Sequence, residues 1–203
     1  MNVENVKVFG WEAALDAART TMRKQPLDKM PSEQFRREML RCEHSPLRLV
    51  QYSWIWRDIP YWVSVHMVRH HIGCEKFVST SRPDRVSFLT GEVFDRGDFL
   101  TEGATADADP RHALSQSAPV DMMMACNAQA LINISRLRLC GKASKETRQA
   151  WRMALDAIKE IDPLVVEYCV PKCVAKGFCD EPQTCHFCES KGFSLQRNIY
   201  INQ

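Results

Sequence analysis

A chain of 203 residues, 45% of them hydrophobic, is long enough to bury one substantial core, and one compact domain with a small appendage is the simplest division. Its formal net charge of +2 gives no support to a general polyanion-binding surface, so nucleic acid is not expected as a partner and phosphate has to be attracted by a few placed arginines. The opening MNVENVKVFGWEAAL has no basic start followed by an apolar stretch, and no later segment has the length to span a bilayer; a soluble, cytoplasmic protein without a membrane partner is expected.

In chain order, a short strand is predicted around Val6 to Phe9, then an amphipathic helix carrying Trp11, Leu15, Ala18 and Met22 at helical spacing. From Leu47 to Trp56, aromatic and aliphatic residues of both parities predict a strand buried on at least one face. Pro60 suits the first turn of a helix with Val63, Met67 and His70 on one side, which delivers Arg69 to His71 near its end. Arg82 to Pro119 mixes Gly, Asp, Pro and Ser and reads as loop. Met122 to Leu139 is read as helical, with Asn127, Leu131, Ile134 and Arg138 on one stripe. Ser144 is the expected N-cap of a last long helix with Glu146 in its first turn, ended by Pro163. No repeat, glycine-rich phosphate loop or Gly-x-Gly-x-x-Gly is present, so a Rossmann site has no support.

Arg69, His70 and His71 concentrate basic groups at the end of an apolar helix. A guanidinium matches phosphate oxygens as a planar fork and an imidazole can donate to them or to ring carbonyls, so this cluster suits a phosphorylated heteroaromatic ligand. Taken alone, the tripeptide also fits a group that caps helix-terminal carbonyls.

The run RHHIGCEKFVS, Arg69 to Ser79, resembles the Arg-His-Arg, seven residues, Ser motif of the flavin-dependent thymidylate synthases, with His71 in the place of the second arginine. RLCGKASKETR resembles the late segment of the same family, with Arg138, Ala143, Glu146 and Arg148 in register, and HSPLRLVQYSW resembles its early strand. Order and spacing agree over roughly residues 5 to 165, so residues 1–165 are expected to form one domain of the family's α/β (α+β) fold and residues 166–203 a Cys-rich tail. The resemblance implies a homotetramer with active sites shared between chains. It also implies an enzyme that binds FAD and moves carbon from methylenetetrahydrofolate to C5 of dUMP, with NADPH reducing the flavin. On this reading Arg69, His70, His71, Asn127 and Arg138 hold FAD. Arg69, Ser79, Arg82 and Arg148 contact the nucleotide, and Ser79 and Arg148 are the catalytic candidates, Arg148 stabilising charge on the pyrimidine carbonyl. Cys74 is an ordinary buried thiol.

The chain also departs from the family pattern. Thr80 and Ser81 displace Arg82 by one place, Asp121 falls where family members often carry a nucleotide-binding arginine, and Gln129 falls where another arginine is common. A carboxylate repels phosphate, so either Arg82, Arg85 and Arg136 replace these contacts or the substrate is another pyrimidine nucleotide or the product a hydroxymethyl one. A non-catalytic flavin- or nucleotide-binding module is a third reading.

Five of the nine cysteines crowd into CVPKCVAKGFCDEPQTCHFC, beyond the family resemblance. Cys185 and Cys188 have knuckle spacing, and Cys173 and Cys179 can complete a four-sulfur set, with Cys169 or His186 as substitutes, for zinc or for an iron-sulfur centre in a segment too short for its own core. The alternative is reduced or disulfide-paired cysteines stabilising a tail. Tyr52, Trp54, Trp56, Tyr61 and Trp62 are expected in the core or a subunit interface.

Overall fold

A computed structural model describes residues 1–79 and 114–203. Strand β1 (Asn2–Phe9) leads through left-handed Gly10 into α1 (Trp11–Thr21), and the segment after it forms α2 (Glu33–Cys42), a helix with no counterpart in the sequence reading. A 3-10 turn at Ser45–Leu49 precedes β2 (Gln51–Pro60), so the apolar run expected as strand from Leu47 divides into turn and strand. Helix α3 (Tyr61–Val68) follows, then β3 (Cys74–Val78) and β4 (Pro119–Asn127). The rest is helical: α4 (Ala128–Arg138), α5 (Lys145–Lys159), α6 (Pro163–Glu167), α7 (Lys172–Lys176) and α8 (Lys191–Ile201).

The four strands form one antiparallel sheet in the order β1-β2-β4-β3. Alternation then decides its two faces. Tyr52, Trp54 and Trp56 of β2 stand opposite Cys126, Met124 and Met122 of β4 and are fully buried under the helices, with α5 lying over β1 and β2. Trp151 of α5 meets both Trp54 and Trp56 edge-on or tilted, with ring centroids 5.8 and 6.1 Å away. On the other face Phe77, Met123 and Ile55 line up across three strands, and Phe77 and Met123 are exposed.

Met122–Asn127 is strand, not helix. Its apolar residues have both parities, so the sequence satisfies either period, and antiparallel pairing with β2 decides for the strand. Asn127 is consequently the N-cap of α4, its Oδ1 accepting from Ala130 N at 2.8 Å, and does not share a helical stripe with Arg138. Ser144 does cap α5, accepting from Thr147 N at 3.3 Å, and Pro163 opens α6. Burial continues through Tyr168, Cys169, Cys173 and Val174 and stops there. No helix among the described residues is long and apolar enough to cross a membrane.

Candidate functional site

Helix α3 ends because Arg69, in helical conformation, is followed by a turn that left-handed Gly73 closes into β3. Gly73 O accepts from Asn127 N at 2.9 Å, and a Cβ on Gly73 would stand 2.5 Å from Asn127 Nδ2. The basic triplet is thereby fixed against the joint between β4 and α4.

Arg138, one helix-length later on α4, reaches back to this turn. Its Nε donates to His70 Nε2 at 2.8 Å and its Nη2 to His66 O at 2.7 Å. His70 therefore accepts through Nε2, which requires a neutral imidazole with its proton on Nδ1. Burial, then the charge of Arg138, with Lys76, His71 and Arg69 adding to it, lowers its pKa to about 4. Burial and the neighbouring Arg69 also lower Arg138, and the same two arginines help burial to lower His66. Lys76 shares the face of Cys74 and donates to His70 O. Arg69 itself makes no side-chain hydrogen bond or ion pair among the described residues.

Two clefts adjoin this cluster and share Arg69, His70 and Leu137. The first, of about 360 Å³, has Arg48, His71, Asn127, Gln129 and Asn133 as its other polar lining, with Ile72, Ala130 and Ile134. No carboxylate lines it among the described residues. It pairs apolar walls with two arginines and two histidines, which is the composition a flat anionic ligand needs. The second, of about 460 Å³, runs from Arg69, His70 and Arg138 towards Cys140, Cys173, Cys179 and Cys185.

The other sequence-predicted residues are not brought to these clefts. Ser79 lies at the far end of β3, its N donating to Asp121 O at 2.8 Å and its Oγ accepting from Asp121 N at 3.0 Å. Arg148 donates through Nη1 to the carbonyls of Gly141, at 2.9 Å, and Ala143, and so holds the α4–α5 loop at the rim of the second cleft. Arg82 and Arg85 lie outside the described residues.

Asp121 and Gln129 have structural occupations. Strand β2 bulges at Arg57–Asp58, where Asp58 takes a left-handed φ of 54°. Asp121 accepts from Arg57 Nη1 at 2.7 Å and from Asp58 N at 3.2 Å, so the carboxylate secures the bulge. Gln129 donates to Glu43 at 2.7 Å, and Arg136 pairs with the same carboxylate and with Asn133. Arg136, a sequence candidate for phosphate, is thus largely committed.

Arg48, Lys76 and Cys140 are the site-lining or site-supporting residues the sequence reading missed. Arg48 interrupts an apolar run, and Lys76 follows Cys74 at strand spacing, which are the signals each left. Of the four thiols expected to hold a metal, Cys173, Cys179 and Cys185 line one cleft and Cys188 adjoins them, yet no group of three or more His, Cys, Asp or Glu among the described residues is arranged to hold an ion.

Comparison with known proteins bears on the whole arrangement. A family model described as thymidylate synthase complementing protein matches residues 86–164, which include Asn127, Arg138 and Arg148 but not the Arg69–Ser79 run. Flavin-dependent thymidylate synthases of Saccharolobus solfataricus and Sulfolobus acidocaldarius are 32% identical over 84 residues and 34% over 76, covering 41% and 37% of this chain. These matches span 32% and 29% of the relatives' own length, about a third. Among solved structures, the flavin-dependent thymidylate synthase of Helicobacter pylori, complexed with FAD and dUMP, superposes with a TM-score of 0.63 at 18% identity, over 84% of this chain and all of that one. A UMP/dUMP methylase of Streptomyces cacaoi, bound with 5-bromo-dUMP, gives 0.56 at 15% identity over 81% and 94%. The fold expected from the resemblance is the fold observed, and over residues 86–164 the chain is similar to the thymidylate synthase complementing protein family.

Proposed function

We propose that this chain is the subunit of a FAD-dependent enzyme that alkylates C5 of a deoxyuridine-type nucleotide, most simply forming dTMP from dUMP with methylenetetrahydrofolate and NADPH. The observation that carries this reading is the first cleft, where Arg69 and Arg48 stand with His70 and His71 and with no carboxylate among the described residues, and where Arg138 donates to the neutral His70. Two guanidiniums kept together without a counter-charge are stabilised by an anion.

The donor set fits a flavin dinucleotide. Arg69, His71 and Arg48 would take its phosphates, His70 Nδ1–H and Asn127 Nδ2 would serve as neutral donors, and Ile72, Ile134 and Leu137 would face its rings. Bound there, FAD would supply the hydride that turns the transferred carbon into a methyl group. Arg138 does not act on that hydride; it orients His70 and keeps it deprotonated. Arg148, if released from the Gly141 and Ala143 carbonyls, would place a guanidinium against the pyrimidine carbonyl, where it stabilises charge as C5 becomes nucleophilic. Ser79 would meet the nucleotide from the opposite end of β3.

Clefts on one chain hold part of such a ligand, and assembly as a homotetramer would complete them. Ile72, 92% exposed beside the first cleft, supports a second chain there. One observation favours a different pyrimidine nucleotide or a hydroxymethyl product: Asp121 and Gln129 are tied to Arg57 and Glu43 and leave no arginine in their places. Purified protein with a flavin absorption band and tritium release from [5-³H]dUMP, dependent on methylenetetrahydrofolate and NADPH, is the expected result. A colourless protein that takes up no FAD refutes the enzyme reading, and release from another uridine nucleotide alone selects the second substrate.

A further inference from the structure

From Ala175 to Gln203 no residue is buried, yet the segment is folded into the end of α7, a 3-10 turn at Phe187–Glu189 and α8. Helix α8 is tied to α7 by Arg197 Nη1, which donates to Val174 O at 2.7 Å and Ala175 O at 2.8 Å. Asp180 is held by Lys172 at 2.7 Å and Lys176 at 2.6 Å. The stretch between Asp180 and α8 has neither an apolar core nor an ion pair to the rest of the molecule among the described residues. A segment of this kind needs a cross-link.

Thiols converge there. Cys188 lies within hydrogen-bonding reach of Cys173 and Cys179 and senses Cys185. Cys140, just past α4 in the main domain, senses Cys185 and Cys179 in turn. The contact between tail and domain is direct, since a Cβ on Gly141 would stand 2.9 Å from Cys185 Sγ and would have to push the thiol aside. All five cysteines are free, and Cys140, Cys173, Cys179 and Cys185 line one wall of the second cleft.

We propose that Cys140, Cys179, Cys185 and Cys188 bind one zinc-type divalent ion, with the main domain supplying a ligand and the buried Cys173 thiol donating to Cys188. This exchanges Cys173 for Cys140 in the set expected from sequence. Cys173 is buried on α7 at 8% exposure, suited to a neutral donor to a ligating sulfur, whereas Cys140 is only partly buried and lines the cleft with Cys179 and Cys185. The thiols meet in pairs and not yet around one point; the ion would draw together side chains already adjacent, metal binding and local ordering being one event. Four thiolates leave the site with excess negative charge; Lys142 lines the same cleft beside the Lys172–Asp180 pair and Glu181. The proposal is independent of the flavin reading, because metal content is measured without flavin.

The test is elemental analysis of the full chain purified under reducing conditions, beside Cys140→Ser, Cys173→Ser, Cys185→Ser and, as control, the exposed Cys42→Ser. One zinc per chain is expected in the parent, Cys42→Ser and Cys173→Ser, with loss in Cys140→Ser and Cys185→Ser. Cobalt-substituted parent protein should show thiolate charge-transfer absorption of four-sulfur intensity, which guards against loss by misfolding of a variant. Zinc retained by Cys140→Ser, zinc lost from Cys173→Ser, iron with labile sulfide, or a metal-free parent with disulfides among these cysteines would each overturn it.

Discussion

Arg138 Nε and His70 Nε2 are 2.8 Å apart, and the guanidinium can only donate, so the imidazole accepts and is neutral. Its lowered pKa of about 4, against an ordinary 6.5, sets a pH window. Between those values the unfolded chain binds a proton at His70 that the folded chain refuses, so stability from this group is full above 6.5 and falls as the pH drops towards 4. The His70 ring resonances should titrate with a midpoint near 4 in an NMR experiment. A midpoint near 6.5 would show that the bond to Arg138 is not made in solution.

Arg138→Lys keeps the charge but not the fork that joins His70 to His66 O. Losing one or two charge-assisted hydrogen bonds in the cluster should weaken FAD about 10- to 100-fold, with the fold intact. Quenching of flavin fluorescence on titration reads the change. Unaltered affinity would remove Arg138 from the flavin site.

Two aspartates separate a buried carboxylate from a surface one. Asp162, 2% exposed, accepts from Trp11 Nε1 at 2.8 Å and Tyr52 OH at 2.7 Å and pairs with Arg36. Asp162→Ala strands these donors and should cost about 3–5 kcal/mol. Asp121→Asn keeps an acceptor for the β2 bulge and gives up only a half-exposed ion pair, so its cost should stay below about 1 kcal/mol. Urea unfolding measures both, and equal costs would contradict the assignment of Asp162 as the polar centre of the core.

Gly73→Ala introduces a Cβ that meets Asn127 at a residue with φ +70°. The strain should cost about 1–3 kcal/mol and disturb the cap of α4. Thermal unfolding and FAD retention should fall together; an unchanged melting temperature would mean the turn is free to rearrange.

Local signals carried much of this molecule. Ser144, Glu146 and the apolar spacing of Thr147, Trp151, Ala154 and Ile158 specify α5 within a single stretch of chain, and the structure places the helix there. Arg138 donates to His70, so two residues that the sequence reading assigned to one ligand are adjacent. What escaped was set by partners distant in sequence. Asp121 reads as a misplaced charge until β2 pairs beside it and exposes the bulge it secures, and Met122–Asn127 reads as helix until the sheet claims it. Cys140 looked isolated because its neighbours, Cys179 and Cys185, come tens of residues later.

Arg69 belongs to both clefts, and this makes their occupancies interdependent. One guanidinium cannot give its full charge to both clefts, so a ligand that draws on it from one side would lower the affinity of a ligand that draws on it from the other. Linkage requires the penalty to be the same factor whichever ligand arrives first. A position that serves binding would therefore also favour departure, each ligand that draws on Arg69 loosening the other.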